Sequence, residues 1–286
     1  MITALRKRPE LQGWLFAFPA AAFLLVFFLV PFFIVVGYSF AERGTYGGVV
    51  WSFNPGNYAR VFDPLYFNTF LRSVYIAGAT TVICFLLGYP LAYFIAMRSP
   101  ERRNTLLLAL MIPFWTNFLI RTYAWLTLLR TNTGLINVTL LNLGLISEPL
   151  PLFGNDFAII LGLVYGWLPD MVLPCFAAIT RLDRSLLEAA SDLYARGSQV
   201  FTRVVWPLTL PGVVAGSILV FIPSLGAFIT PALLGGGRSL MIGNVINNQF
   251  LAAHDWPFGA ALSTGMISIM LVITLIYFRT VREEAS

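Results

Sequence analysis

Of the 286 residues, 58% are hydrophobic and 11% charged, with mean hydropathy +0.80 and a formal net charge of +5. So few charges cannot solvate the surface of a water-soluble domain of this length, which leaves an integral membrane protein. The positive balance does not point to nucleic acid, because the basic residues cluster beside apolar runs, where membrane topology accounts for them.

The first element follows Arg6, Lys7 and Arg8 and runs apolar to about residue 40. That is far beyond the about 7–15 residues of a signal-peptide core, so it is read as a retained membrane helix over 14–40. A membrane crossing needs about 20 mostly apolar residues. Further windows of this kind fall at 69–97, 105–129, 157–180, 211–230 and 258–278. The expected architecture is one all-α polytopic domain over residues 1–286, with six transmembrane helices and both termini on one side. One side collects Arg6, Lys7, Arg8, Arg98, Arg102, Arg103, Arg181, Arg184, Arg196, Arg203, Arg279 and Arg282, and the other holds only Arg43, Arg60 and Arg238. This imbalance predicts cytoplasmic termini. Outside, "NPGNY" (54–58) and "GGGRS" (235–239) belong to loops long enough for short interfacial helices. Pro113, Pro169, Pro174 and Pro223 are expected to interrupt spans. Cys84 and Cys175 lie inside apolar spans and behave as small hydrophobes.

Between the fourth and fifth spans the pattern changes. Ser185, Leu186, Leu187 and Glu188 fit an S-x-x-E capping box, which predicts a helix start at Ser185. Leu186, Ala189, Ala190, Leu193 and Tyr194 recur at helical spacing opposite Asp183, Arg184, Asp192 and Arg196, and Gly197 is the expected left-handed terminator. A second short helix through Gln199, Val200, Phe201 and Arg203 leads toward Pro207 and Pro211. Ala189, Ala190 and Ser191 suit close approach of another protein better than insertion among lipid headgroups, which bulkier side chains drive.

Glu188, Ala189 and Ala190 resemble the EAA loop of binding-protein-dependent ABC importer permeases. Together with "DPLYF" (63–67), "GYPLAYF" (88–94), "PFWTNFLIRTYAW" (113–125), "WPLTLPG" (206–212), "MIGNVI" (241–246) and "DWPFGAA" (255–261), the chain resembles spermidine/putrescine permeases of the PotB type. The resemblance implies a type I ABC importer permease fold with cytoplasmic coupling helices over 184–206. It implies an ATPase-coupling surface of Glu188, Ala189, Ala190, Asp192, Leu193, Tyr194, Arg196 and Gly197. The implied partners are an ATPase dimer, a second homologous permease and a soluble substrate-binding protein, in a bacterial inner membrane. Two positions depart from the family pattern: Tyr194 stands where glycine is usual, which moves the expected bend toward Gly197, and Trp206 stands where leucine precedes the proline.

The sole lysine, Lys7, excludes a G-x-x-x-x-G-K-[ST] nucleotide loop, so ATP and Mg are expected on the partner ATPase and no cofactor on this chain. His254 is the single histidine and no cluster has metal-site spacing, so no bond chemistry is expected. Asp170 is the acid deepest in a span, roughly 20 Å from Phe157 at about 1.5 Å per residue. It is either a cation contact or a structural acid that pairs with an arginine or caps a helix broken at Pro169. Tyr165, Trp167 and Trp115 are candidate aromatic companions on a substrate pathway, and Tyr123 is another aromatic nearby. Arg121 is expected to snorkel. Asn244, Asn247 and Gln249 are candidate binding-protein contacts. A different cargo (another small cation, an amino acid or ferric ion) and a self-contained secondary transporter are the alternatives.

Overall fold

The computed structural model describes residues 9–284. Arg6, Lys7 and Arg8, and the side chains of Arg184 and Arg282, lie outside the described residues. The described residues divide into two compact units: residues 9–63 with 246–269, and residues 64–245 with 270–284.

In the first unit, α1 (Pro9–Ser39) is apolar on every side from Ala17 on, and Phe23, Phe27 and Phe28 are all exposed, as suits a helix solvated by lipid or by another subunit. Beyond it come a two-residue antiparallel pair, β1 (Glu42–Arg43) with β2 (Val49–Val50), and α2 (Gly56–Val61). Buried Asn57 ties this corner together by donating to the carbonyls of Ser39 at 3.0 Å and Ala41 at 2.9 Å. Arg60 pairs with Asp255 at 3.1 Å. Asp255 also accepts the Phe258 N–H near the start of the helix Trp256–Glu284.

The second unit is built on three long helices: α3 (Pro64–Ala96), α7 (Asp156–Thr180) and α10 (Trp206–Leu225). Ala92, Ile95, Val164, Met171, Val172, Cys175 and Val220 form their common core. Small residues set the spacing. A Cβ on Gly212 would lie 2.4 Å from the Ala178 Cβ and 2.8 Å from the Pro174 carbonyl oxygen, and one on Gly216 would lie 2.9 Å from the Met171 sulfur. Gly212 and Gly216 thus form a G-x-x-x-G face that lets α10 lie directly on α7. At the other end of α7, Arg72 donates to Asp156 at 2.7 Å and to Ser239 at 2.8 Å.

Among the described residues, five continuous helices are long and apolar enough to cross a membrane: Ala17–Ser39, Pro64–Ala96, Asp156–Thr180, Gly197–Leu225 and Trp256–Leu275. The predicted straight span over 105–129 is instead a broken pair, Pro100–Trp115 and Phe118–Leu129, bent by 82°. Its parts are α4 (Pro100–Met111), a 3-10 turn (Ile112–Trp115) and α5 (Phe118–Leu129). Thr116 is extended after the Pro113 turn, and the Asn117 side chain accepts the Leu119 N–H at 2.8 Å, opening a new helix in a new direction. The expectation for Pro169, Pro174 and Pro223 is corrected the other way, since α7 and α10 run through them unbroken. Proline removes the donor four residues on, so the carbonyls of Tyr165 and Asp170 lose their usual helical partners without ending the helix.

The remaining elements are the short helices α6 (Leu135–Asn142), α8 (Arg184–Asp192), α9 (Gly197–Val200), α11 (Ile229–Leu234) and α12 (Ile242–Leu251), and the long α13 (Trp256–Glu284).

Candidate coupling elbow and cargo path

The elbow begins two residues earlier than the capping-box spacing predicts. Asp183 is the N-cap of α8, and its carboxylate accepts the Ser185 N–H at 2.9 Å, which places Ser185 inside the first turn. Hydrogen bonds from the Ser185 N–H and then its hydroxyl hold the Asp183 pKa below the ordinary aspartate value. The cap therefore contributes fully above that ordinary value and is lost as pH falls through the lowered one.

The helix ends at Tyr194, where glycine was expected to be needed and Gly197 was expected to supply it. Tyr194 N–H donates to the Ser191 carbonyl at 2.9 Å and Ala195 N–H reaches back to the Ala190 carbonyl at 3.1 Å. These two bonds are a Schellman closure, with Tyr194 itself in the left-handed region at φ 59°. Gly197 instead opens α9, where the Arg196 N–H donates to the Gln199 side chain at 2.9 Å. A side chain in that region costs about 1–2 kcal/mol. Tyr194→Gly is expected to slow amide exchange at Tyr194 and Ala195 by about fivefold or more, the factor that 1 kcal/mol sets.

On α8, Leu187 and Ala190 are half-buried, while Glu188, Ala189 and Asp192 are exposed, as are Arg196 and Gly197 beyond it. Leu186, Leu193 and Tyr194 are exposed at 46%, 81% and 96%, an apolar tip with no cover among the described residues. Leu187 and Glu188 close a cavity of about 320 Å³ against Met97, Arg103, Ile179 and Thr180.

The second coupling helix is not a separate element. From Gly197 the chain passes through α9 and a π-helical turn, Phe201–Val205, into α10 without a break. Pro207 leaves the Arg203 carbonyl without its usual donor, and a widened turn accommodates that position. Phe201 packs edge-on against Tyr89 and Tyr93, and Trp206 lies 5.8 Å from Phe85 and 5.5 Å from Tyr89 between ring centroids. The Tyr89 hydroxyl meets Thr209 Oγ1 at 2.8 Å. The unusual Trp206 thus fastens the elbow's outgoing helix to α3.

The four candidate pathway residues fall in three places. Trp167 lines a cavity of about 260 Å³ with Phe118, Leu163, Pro223, Phe228 and Thr230. Its ring N–H and the Thr230 hydroxyl are buried with no hydrogen-bond partner among the described residues. Asp170, half-buried and one helical turn on from Trp167, shares its face of α7, and no arginine pairs with it among the described residues. Because α7 runs unbroken through Pro169, the broken-helix role for Asp170 is corrected. Tyr165 instead packs in a box with Phe114 and Trp125. Arg121 does not snorkel: its guanidinium lies 4.9 Å from the Phe114 ring centroid, 5.7 Å from Phe118 and 5.8 Å from Tyr165, with Nε and Nη1 buried. Trp115 stands 77% exposed at the broken pair's bend. Thr230 and Phe228 come from a separate element, and no spacing within α7 could have signalled them.

Residues 88–282 match the family model described as "binding-protein-dependent transport system inner membrane component". The chain belongs to this family. The permease is 45% identical over 259 residues to the spermidine/putrescine transport system permease protein PotB of Salmonella typhimurium (strain SL1344), covering 91% of this chain and 90% of that one. It is 44% identical to the PotB of Escherichia coli (strain K12), with 91% and 94% covered. Among solved structures, it resembles a bacterial ABC transporter involved in the import of alginate, with a TM-score of 0.70 at 17% identity over 98% of both chains. A bacterial alginate ABC transporter in complex with an alginate pentasaccharide-bound periplasmic protein gives 0.73 at 17% identity over 98% of this chain and 96% of that one. The permease is therefore a multi-pass, non-catalytic inner-membrane subunit with the ABC importer permease fold.

On α12 of the permease, Asn244 serves the fold: its side chain donates to the Phe228 carbonyl at 2.7 Å and accepts the Met241 N–H at 3.1 Å. Asn247 is exposed and Gln249 half-buried, and Asn248, exposed and not singled out by its sequence context, stands between them.

Proposed function

We propose that the permease translocates polyamines of the spermidine and putrescine type by alternating access, paired with a second permease, driven by an ATPase dimer and supplied by a soluble binding protein. The observation that carries this reading is the 45% identity to a spermidine/putrescine permease over nine tenths of the chain. In this reading ATP and Mg are bound by the ATPase, the termini and the elbow face the cytoplasm, and Asn247 and Gln249 face the binding protein. The tip of Leu186, Leu193 and Tyr194, with Glu188, Ala189, Ala190, Asp192, Arg196 and Gly197 around it, enters a groove on the ATPase. Closure of the ATPase pair draws the elbows together and turns α10 against α7.

Trp167 and Asp170 supply what a flexible polycation needs along the way: an aromatic face for its methylenes and a carboxylate for its ammonium groups. The carbonyls of Tyr165 and Asp170, freed by Pro169 and Pro174, add acceptors on the same helix. Asp170→Asn is expected to lower uptake about tenfold or more, the loss of one charge-assisted contact, while the complex still assembles. Wild-type uptake in that variant would remove Asp170 from the path.

The decisive test reconstitutes the permease with its partners and measures ATP-dependent uptake of labelled spermidine and putrescine. Uptake by the isolated chain would reject the ATP-driven reading. ATPase stimulation by a different loaded cargo, with none by polyamine, would reject the cargo.

A further inference from the structure

Two adjoining cavities lie at the elbow end of α3, and neither belongs to the cargo path. The first, about 480 Å³, is walled by Tyr89, Pro90, Tyr93, Phe94, Met97 and Phe201, with Arg98 at its edge. The second, about 580 Å³, is lined by Phe94, Arg98, Glu101, Arg102, Thr105 and Leu106. Phe94, in the last turn of α3, and Arg98, just past its end, line both, so the two spaces adjoin. The Arg98 guanidinium lies 4.2 Å from the Phe94 ring centroid, which holds the charge at the junction. The space is thus apolar alongside the membrane helix and basic just past its last residue, Ala96, where lipid headgroups sit.

We propose that this groove holds one anionic phospholipid of the leaflet on the elbow's side, with an acyl chain against Pro90, Tyr93, Met97 and Phe201 and its phosphate between Arg98 and Arg102. Charge selects this occupant. With Glu101 on the same wall, the two arginines leave a local excess of one positive charge, which matches a single phosphodiester and is too small to hold a polyanion. The apolar compartment selects a lipid over a free phosphate. The bound lipid also acts on the elbow. Phe201 opens the π-helical turn that joins the elbow to α10, so a chain filling the groove props that turn against α3. The assignment stands whichever compartment the elbow faces and whichever cargo is carried.

The test uses the complete transporter in nanodiscs of phosphatidylcholine with and without phosphatidylglycerol. Native mass spectrometry counts retained phosphatidylglycerol, and a photoreactive phosphatidylglycerol maps its site. Cross-links within residues 93–102 are expected. The double variant Arg98→Gln, Arg102→Gln should retain one phosphatidylglycerol fewer and bind it about tenfold more weakly. Met97→Trp, which fills the groove without touching the charges, should displace the same molecule. Arg181→Gln, an exposed arginine outside the groove, should leave the count unchanged. Unchanged retention in both the charge and the blocking variants would overturn the proposal. So would cross-links of a photoreactive residue at position 97 to another protein chain, which would make the groove a subunit interface.

Discussion

Aspartate at both Leu193 and Tyr194 is expected to strip the ATPase from the transporter and abolish ATP-dependent uptake, while the permease itself accumulates normally. Both side chains point away from the body of the protein, at 81% and 96% exposure, so their loss removes no internal packing. Burying a large apolar side chain in a partner contributes about 1.5–3 kcal/mol. Losing two of them costs about 3–6 kcal/mol, or about 10²- to 10⁴-fold in affinity, before the cost of forcing carboxylates into the groove is added. The measurement is co-purification of the ATPase on a tagged permease, followed by uptake in proteoliposomes. Retention of both would mean that the elbow carries no force.

The second large effect lies inside the second unit. Gly212→Leu is expected to prevent folding, because the first added carbon already meets the Ala178 Cβ at 2.4 Å and the Pro174 carbonyl oxygen at 2.8 Å. One of those neighbours is backbone of a packed helix and cannot turn aside, so α10 must lift from α7. Overpacking typically costs about 1–3 kcal/mol, and branching carbons beyond the first add to it. The yield of monodisperse solubilised permease and its Tm report the result. Gly78→Ala is the matched control: nothing lies within 4 Å of its added carbon, and alanine is the better helix former, so Tm should hold or rise. Normal yield and Tm for Gly212→Leu would show that α10 and α7 do not meet as described.

The membrane helices were legible in the sequence because apolar composition over about 20 residues is a signal that packing does not alter. Capping was harder. Asp183 and Ser185 are both good N-caps two residues apart, and the S-x-x-E spacing favours the one that the backbone does not use. Tyr194 shows the opposite case. The position, not the residue, sets the left-handed turn, because the Schellman bonds from Tyr194 and Ala195 fix it whichever side chain is there. The broken pair has a readable cause in Pro113 followed by Asn117, yet its apolar content masks it. The Gly212 and Gly216 pair is visible as G-x-x-x-G, but Pro211 beside it signals a helix start and hides the packing face. Two of the three rings around Arg121 are local, since Phe118 and Phe114 lie three and seven residues before it. Tyr165 joins only through tertiary packing, as Thr230 and Phe228 join Trp167.

The uninterrupted run from Gly197 to Leu225 spans 29 residues, about 43 Å of helix. Over that length a nudge of about 4 Å at one end, with the other pinned, is a swing of only about 5°. In the proposed cycle the length of this helix therefore sets how far a displacement at the elbow tilts it.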